Sequence, residues 1–128
     1  MTKKIQNVAV IGTGVIGTGW IVRLLVHGKK VWAYDIDKGQ KRKLIKNIHR
    51  AWPFATKLFY KKKKNLNNLI FSTSIKDIVQ KADFIQECAP ENEKLKIKLI
   101  KKIELYAKTN VIISSSSSGL LPSVIQSQ

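Results

Sequence analysis

The sequence predicts a doubly wound α/β fold, a parallel sheet between helices in three αβα layers. Three observations predict it. Short β-branched runs alternate with segments of helical period along the whole chain. The first run ends in Gly12-Thr13-Gly14-Val15-Ile16-Gly17, a glycine loop between a strand and a helix. An acid, Asp35, closes the second run 18 residues beyond Gly17.

Each element follows from its residues. The continuous apolar run over 7–11 has the composition of a strand buried on both faces. The glycine stretch 12–19 follows, and residues 20–26 read as a buried helix closed by His27 and Gly28, with Gly28 suited to a left-handed cap. Residues 31–34 form a second strand ending at Asp35. Over 38–50, Leu44, Ile45 and Ile48 recur at helical spacing; Pro53 then either starts a new helix after Trp52 or breaks a continuing one. Residues 69–71 make a third strand. Ser74 caps a short helix through Val79, with Asp77 in its first turn. A fourth strand occupies 82–87. Residues 91–106 form the clearest amphipathic helix, with Leu95, Leu99, Ile103 and Tyr106 on one stripe. A fifth strand, 111–113, runs into a serine tract and Gly119.

Strictly alternating strands and helices require right-handed crossovers and a parallel sheet. The expected strand order is 3-2-1-4-5. Its switch point lies between the first and fourth strands, where folds of this kind take a dinucleotide.

Composition sets the limits. At 128 residues and 44% hydrophobic the chain is expected to be one domain, 1–128, with a real core. No stretch reaches the roughly 18 consecutive apolar residues of a membrane span, and the first apolar run ends in a glycine loop, unlike a secretory signal. Cys88 is the single cysteine, so no internal disulfide can form, and a cytoplasmic location is expected. It reads as a partly buried strand-end thiol and not as a reactive one. Lys and Arg number 24 against 8 acids, a formal charge of +16. Lys61-Lys62-Lys63-Lys64 is the dense run; other lysines are spread over every predicted helix without interleaved aromatic residues. A solvated lysine-rich surface is the preferred reading over a nucleic-acid face. No specific nucleic-acid partner, membrane contact or metal is expected.

The glycine loop carries the chemistry. Gly12 allows the tight turn out of the strand, Gly14 removes a side chain that would block a pyrophosphate, and Gly17 lets the helix pack closely on the sheet. Thr13, Val15 and Ile16 complete the loop, whose free N–H groups and positive helix end suit a diphosphate. Asp35 accepts hydrogen bonds from the adenosine ribose and repels a 2′-phosphate, so NAD is the expected cofactor. Lys38, just beyond Asp37, keeps NADP as the alternative.

With this loop, the segment Gln86-Glu87-Cys88-Ala89-Pro90-Glu91 and the segment Ser115-Ser116-Ser117-Ser118-Gly119-Leu120-Leu121-Pro122 make the chain resemble the 3-hydroxyacyl-CoA dehydrogenase superfamily over nearly its whole length. Ala51-Trp52-Pro53, Ala89-Pro90-Glu91 and Ser118-Gly119-Leu120-Leu121-Pro122 resemble most the branch of L-carnitine dehydrogenases. Gulonate dehydrogenases and lambda-crystallins share much of the pattern. The resemblance implies a Rossmann fold, NAD, and hydride transfer from the 3-hydroxyl carbon of L-carnitine or a 3-hydroxyacyl compound. It also implies roles: Glu91 and Lys96 near the nicotinamide half of the cofactor, and Ser118 beside the substrate hydroxyl. The plainer readings are a first-turn carboxylate for Glu91, a solvated lysine for Lys96 and a strand-ending serine for Ser118. Trp20 and Trp52 read as packing residues rather than as a cage for a quaternary ammonium.

In the family a histidine takes the hydroxyl proton, with a glutamate orienting it. It lies about twenty residues past the serine motif, and neither His27 nor His49 matches it. The chain is therefore expected to be truncated. It would lack that histidine, the sheet's last strand and the helical domain through which relatives form homodimers, leaving the sheet incomplete at its C-terminal edge. On its own it is expected to bind NAD with little or no turnover. A binding-only module is the second reading.

Overall fold

The computed structural model describes residues 5–59, 66–89 and 92–116. Five parallel strands form one sheet: β1 (Asn7–Ile11), β2 (Lys30–Tyr34), β3 (Leu69–Ser72), β4 (Phe84–Glu87) and β5 (Ile112–Ser115). Their order is β3-β2-β1-β4-β5, the order expected from the sequence. The helices are α1 (Val15–Val26), α2 (Gln40–Phe59), α3 (Ile75–Val79) and α4 (Glu93–Tyr106).

The central strand explains the layering. Side chains alternate across β1, so Val8 and Val10 face one side of the sheet while Ala9 and Ile11 face the other. Under Val8 and Val10 lie Ile21, Val22 and Leu25 of α1 with Leu44, Ile48 and Trp52 of α2. On the opposite face Ala9, Ile11 and Ile85 meet Ile75, Ile78 and Val79 of α3 and Leu99, Ile100 and Ile103 of α4. Two cores therefore sandwich one sheet. In register, Val8 pairs with Val31 on one side and with Phe84 on the other.

Several boundaries differ from the sequence reading, each for a physical reason. The first helix starts at Val15, not residue 20, so Gly17 and Gly19 lie inside it. Its first turn escapes a search for buried periodicity because Val15 and Ile16 are exposed. The second helix runs unbroken through Pro53 to Phe59. Leu44, Ile48, Trp52 and Ala55 form a continuous inner stripe across the proline, and that burial outweighs the roughly 3 kcal/mol penalty of an interior proline. Thr56 Oγ1 donates to the carbonyls of Trp52 and Pro53 at 3.0 and 3.1 Å. Trp52 is a core residue, with its Nε1 buried and unpartnered among the described residues.

The stripe of α4 is also corrected. Leu95 and Tyr106 are 42% and 39% exposed, and the inner face is Lys96, Leu99, Ile100 and Ile103. The caps read at Ser74 and Gly28 are present, and α4 begins at Glu93 behind an N-cap, Asn92, that the sequence reading did not name. Ser74 Oγ accepts from Asp77 N, Asn92 Oδ1 accepts from Leu95 N at 3.1 Å, and Gly28 adopts φ +77° behind α1. Among the described residues no helix is long and apolar enough to cross a membrane.

Candidate functional site

The glycine loop leaves β1 at its carboxyl end and is held by backbone. Gly12 N donates to Tyr34 O at 2.8 Å, tying the loop to β2. Gly12 sits at φ +101°, and a Cβ there would stand 2.8 Å from Cys88 O, in the crossover from β4. A side chain at Gly17 would meet Gly12 O at 1.9 Å, so the helix can enter beneath the loop only as glycine. Gly14 differs: nothing lies within 4 Å of a Cβ built on it. It is the N-cap of α1, no side chain caps that end, and no acid occupies the first turn. The helix thus presents its positive end to the cleft without internal compensation.

Asp35 faces this loop from β2. Its Oδ2 accepts from Thr13 N at 3.1 Å and Thr13 Oγ1 at 2.8 Å, and its Oδ1 accepts from Asp37 N at 3.2 Å. Thr13 is thereby assigned to orienting Asp35, while Thr18 Oγ1 donates to Thr13 O and fixes the loop from below. The neighbouring Tyr34 hydroxyl titrates above its ordinary range, through burial first and the Asp35 charge second.

Between these groups lies a cleft of about 540 Å³ at the carboxyl edge of the sheet, over the β1/β4 switch point. Gly12, Thr13, Gly14, Val15, Ile16 and Asp35 line it, together with Cys88, Ala89, Lys96 and Ser116. A slightly larger groove of about 640 Å³ between α1 and α2 is walled by Val22, Phe54, Ala55 and Leu58. Its described lining holds no carboxylate, so the first cleft is the candidate site.

On the β4 side the cleft includes Lys96, which the resemblance implied, while the Glu87 network that holds it carried no expectation. Glu87 is fully buried at the end of β4. Its Oε1 accepts from Lys96 Nζ at 3.0 Å and from Ser115 Oγ at 2.7 Å, and its Oε2 accepts from Ala89 N. Lys96, only 1% exposed, is therefore no solvated lysine. Gln86 Nε2 donates to Ser116 Oγ at 2.6 Å, and Ser116 N donates to Glu87 O. Cys88 sits half-buried between these groups, and burial pushes its thiol above the usual range, as expected of a strand-end thiol. Glu91 and Ser118, together with Ser117 and the lysine run 61–64, lie outside the described residues.

Neither histidine enters the cleft. His27 ends α1, its Nδ1 2.8 Å from Arg23 O, at the opposite end of a helix about 18 Å long. His49 is exposed on α2. Among the described residues no group of His, Cys, Asp and Glu could hold a metal ion.

The residues present fit a dinucleotide: an uncapped helix N-terminus, an open floor at Gly14 and a carboxylate across the loop. Residues 7–128 match the family model of the 3-hydroxyacyl-CoA dehydrogenase NAD-binding domain. The chain is 41% identical over 118 residues to an L-carnitine dehydrogenase of Staphylococcus epidermidis, covering 92% of this chain and 37% of that protein. With an L-carnitine dehydrogenase of Oceanobacillus iheyensis it shares 44% identity over 121 residues, 94% of this chain and 39% of that one. It thus spans under two fifths of the relatives it matches. The fold superposes on 3-hydroxybutyryl-CoA dehydrogenase from Escherichia coli K12 with a TM-score of 0.82 and 26% identity, over 96% of this chain and 27% of the other.

Proposed function

Because the chain belongs to the 3-hydroxyacyl-CoA dehydrogenase family as its NAD-binding domain, we propose that it forms the cofactor half of a longer oxidoreductase acting on the 3-hydroxyl of L-carnitine. The observation that carries this reading is the cleft in which Asp35 faces the uncapped N-terminus of α1 across the glycine loop. The N–H groups of Gly14, Val15, Ile16 and Gly17 receive the diphosphate, and the first turn's dipole favours its charge. Asp35, held by Thr13, accepts the adenosine ribose hydroxyls and repels a 2′-phosphate. The absence of any described side-chain cap on α1 supports the first role, and the position of Asp35 in the cleft lining supports the second.

The nicotinamide half crosses to the β4 side, toward Lys96, and the family resemblance assigns Glu91 to the same half. Bound there, NAD would supply the acceptor for the hydride on the carbon bearing the substrate hydroxyl, and a 3-keto product would result. Ser118 is assigned to the substrate hydroxyl. The hydroxyl proton goes to a base that neither His27 nor His49 supplies, and the longer protein provides it in this reading. A 3-hydroxyacyl-CoA or gulonate-type substrate is the alternative; the greater-than-40% identity to the two L-carnitine dehydrogenases favours carnitine. A cytoplasmic homodimer completes the proposal, with the free Cys88 thiol supporting a reducing compartment.

Parallel calorimetric titrations with NADH and NADPH, in enough salt to screen the lysines, test the cofactor assignment. NADH should bind at least about tenfold more tightly than NADPH, and Asp35→Ala should abolish that preference. Equal, salt-sensitive binding of both would reduce the cleft to a generic anion site.

A further inference from the structure

Glu87 is a charged side chain with no access to solvent, and three donors from three different parts of the chain converge on it. Lys96 comes from α4, Ser115 from the end of β5, and Ala89 N from the crossover that packs against Gly12. A buried ion pair of this kind adds little stability over an apolar pair of the same size, because desolvation offsets the Coulomb attraction. Stability alone therefore does not account for it. Its position does: Ala89, Lys96 and Ser116 line the cleft on the β4 side, and each is bonded to Glu87 through its side chain or its carbonyl. Asp35 occupies the other flank, beyond β1 in the sheet.

We propose that Glu87 is a positioning residue for the nicotinamide half of the cofactor. Its carboxylate holds the Lys96 ammonium and the Ala89 backbone in the wall that this half meets, while the adenosine half depends on Asp35 and the glycine loop. The proposal rests on the NAD-binding reading above and deepens it. Both oxygens of Glu87 are consumed by protein donors, so it acts through Lys96 and Ala89 and not by touching the ligand. Glutamine at this position keeps the size and one acceptor, but leaves the Lys96 charge buried without a counterion.

The test compares NADH with ADP, which carries the adenosine half and the diphosphate only. In the 128-residue chain, Glu87→Gln should weaken NADH binding at least about tenfold and lower the emission enhancement of bound NADH, with ADP affinity kept within about twofold. If that variant fails to fold by circular dichroism, the charge-free pair Glu87→Gln with Lys96→Met is read in its place, with the same split expected. Equal losses for both ligands, unchanged NADH binding, or unfolding of the charge-free pair would overturn the proposal and leave Glu87 a structural residue. A parent chain that binds neither NADH nor ADP would instead sink the NAD reading on which this one rests.

Discussion

The two ends of β4 carry the same chemistry in opposite settings. At the amino end, Asp83 Oδ2 accepts from Gln6 N and Asn7 N at 3.1 and 3.0 Å, and its Oδ1 accepts from Lys108 Nζ at 3.2 Å. At the carboxyl end, Glu87 likewise takes a backbone N–H and a lysine. Lys108 is 41% exposed, whereas Lys96 is sealed from solvent. Water and salt thus screen the first pair and hardly touch the second. The amino-edge carboxylate clips β1 to β4. The carboxyl-edge one holds residues that line the cleft, and the open end of α1 and the loop glycines in contact with backbone lie at that same edge. In a parallel sheet the strands all point one way, so one edge gathers the loops that can vary and the other gathers joints.

That contrast can be broken most sharply at the carboxyl edge. Gly17→Ala places a methyl group 1.9 Å from Gly12 O, so the loop or the helix must shift. Binding of NADH should become undetectable by calorimetry, and thermal unfolding should move down by several degrees, about what 1–3 kcal/mol of overpacking produces. Retained binding would mean the loop is more yielding than its contacts suggest.

A smaller effect is expected at the amino edge. Backbone N–H groups of Asn7 and Gln6, aided by Lys108, hold the Asp83 carboxyl down at about 2. A folded pKa below the ordinary value means that the ionised form stabilises the fold. This contribution is complete above about pH 4 and disappears as pH falls toward 2. Asp83→Asn should lower stability by about 1–2 kcal/mol at neutral pH, and the two denaturation profiles should converge in acid. NADH affinity should stay unchanged, since the cleft lies at the other edge. Parallel profiles from pH 7 to pH 2 would contradict the clip. The least effect belongs to Lys108→Ala, under about 1 kcal/mol and lost in high salt; chemical denaturation with and without added salt measures it.

The same asymmetry explains what was legible in the sequence. The loop from Gly12 to Gly17 and the acid at Asp35 are local signals, because their spacing along one strand-loop-helix-strand unit is legible without any distant partner, although Gly12 also packs against Cys88. The parallel sheet followed from the alternation of elements and the handedness of crossovers, and the glycine loop with Asp35 singled out the order 3-2-1-4-5 among doubly wound sheets. Glu87 gave no such signal. Its partners lie two, nine and 28 residues away, and a carboxylate at the end of an apolar run looks like a strand meeting solvent. The resemblance pointed to Lys96, but its burial was hidden for a related reason. A search for apolar residues at helical period finds Leu95 and Tyr106, and no such search enters a lysine as an inward position. Pro53 misled in the other direction, since local backbone chemistry argued for a break that the Leu44–Ile48–Trp52–Ala55 stripe overrides.

The position of β1 at the middle of the sheet also has a consequence in time. It precedes the other four strands of the described sheet, yet one of its two neighbours, β4, follows 76 residues later, as the Asn7–Asp83 and Val8–Phe84 pairings record. At ribosomal rates of about 5–20 residues per second, that separation amounts to roughly 4–15 s. Through that interval Ala9 and Ile11, which end up with no exposure at all, await the α3 and α4 side of the sheet. The nascent strand therefore emerges paired on one flank at most. Folding of this domain is bound to be late, non-local and dependent on whatever shields that apolar segment on the ribosome.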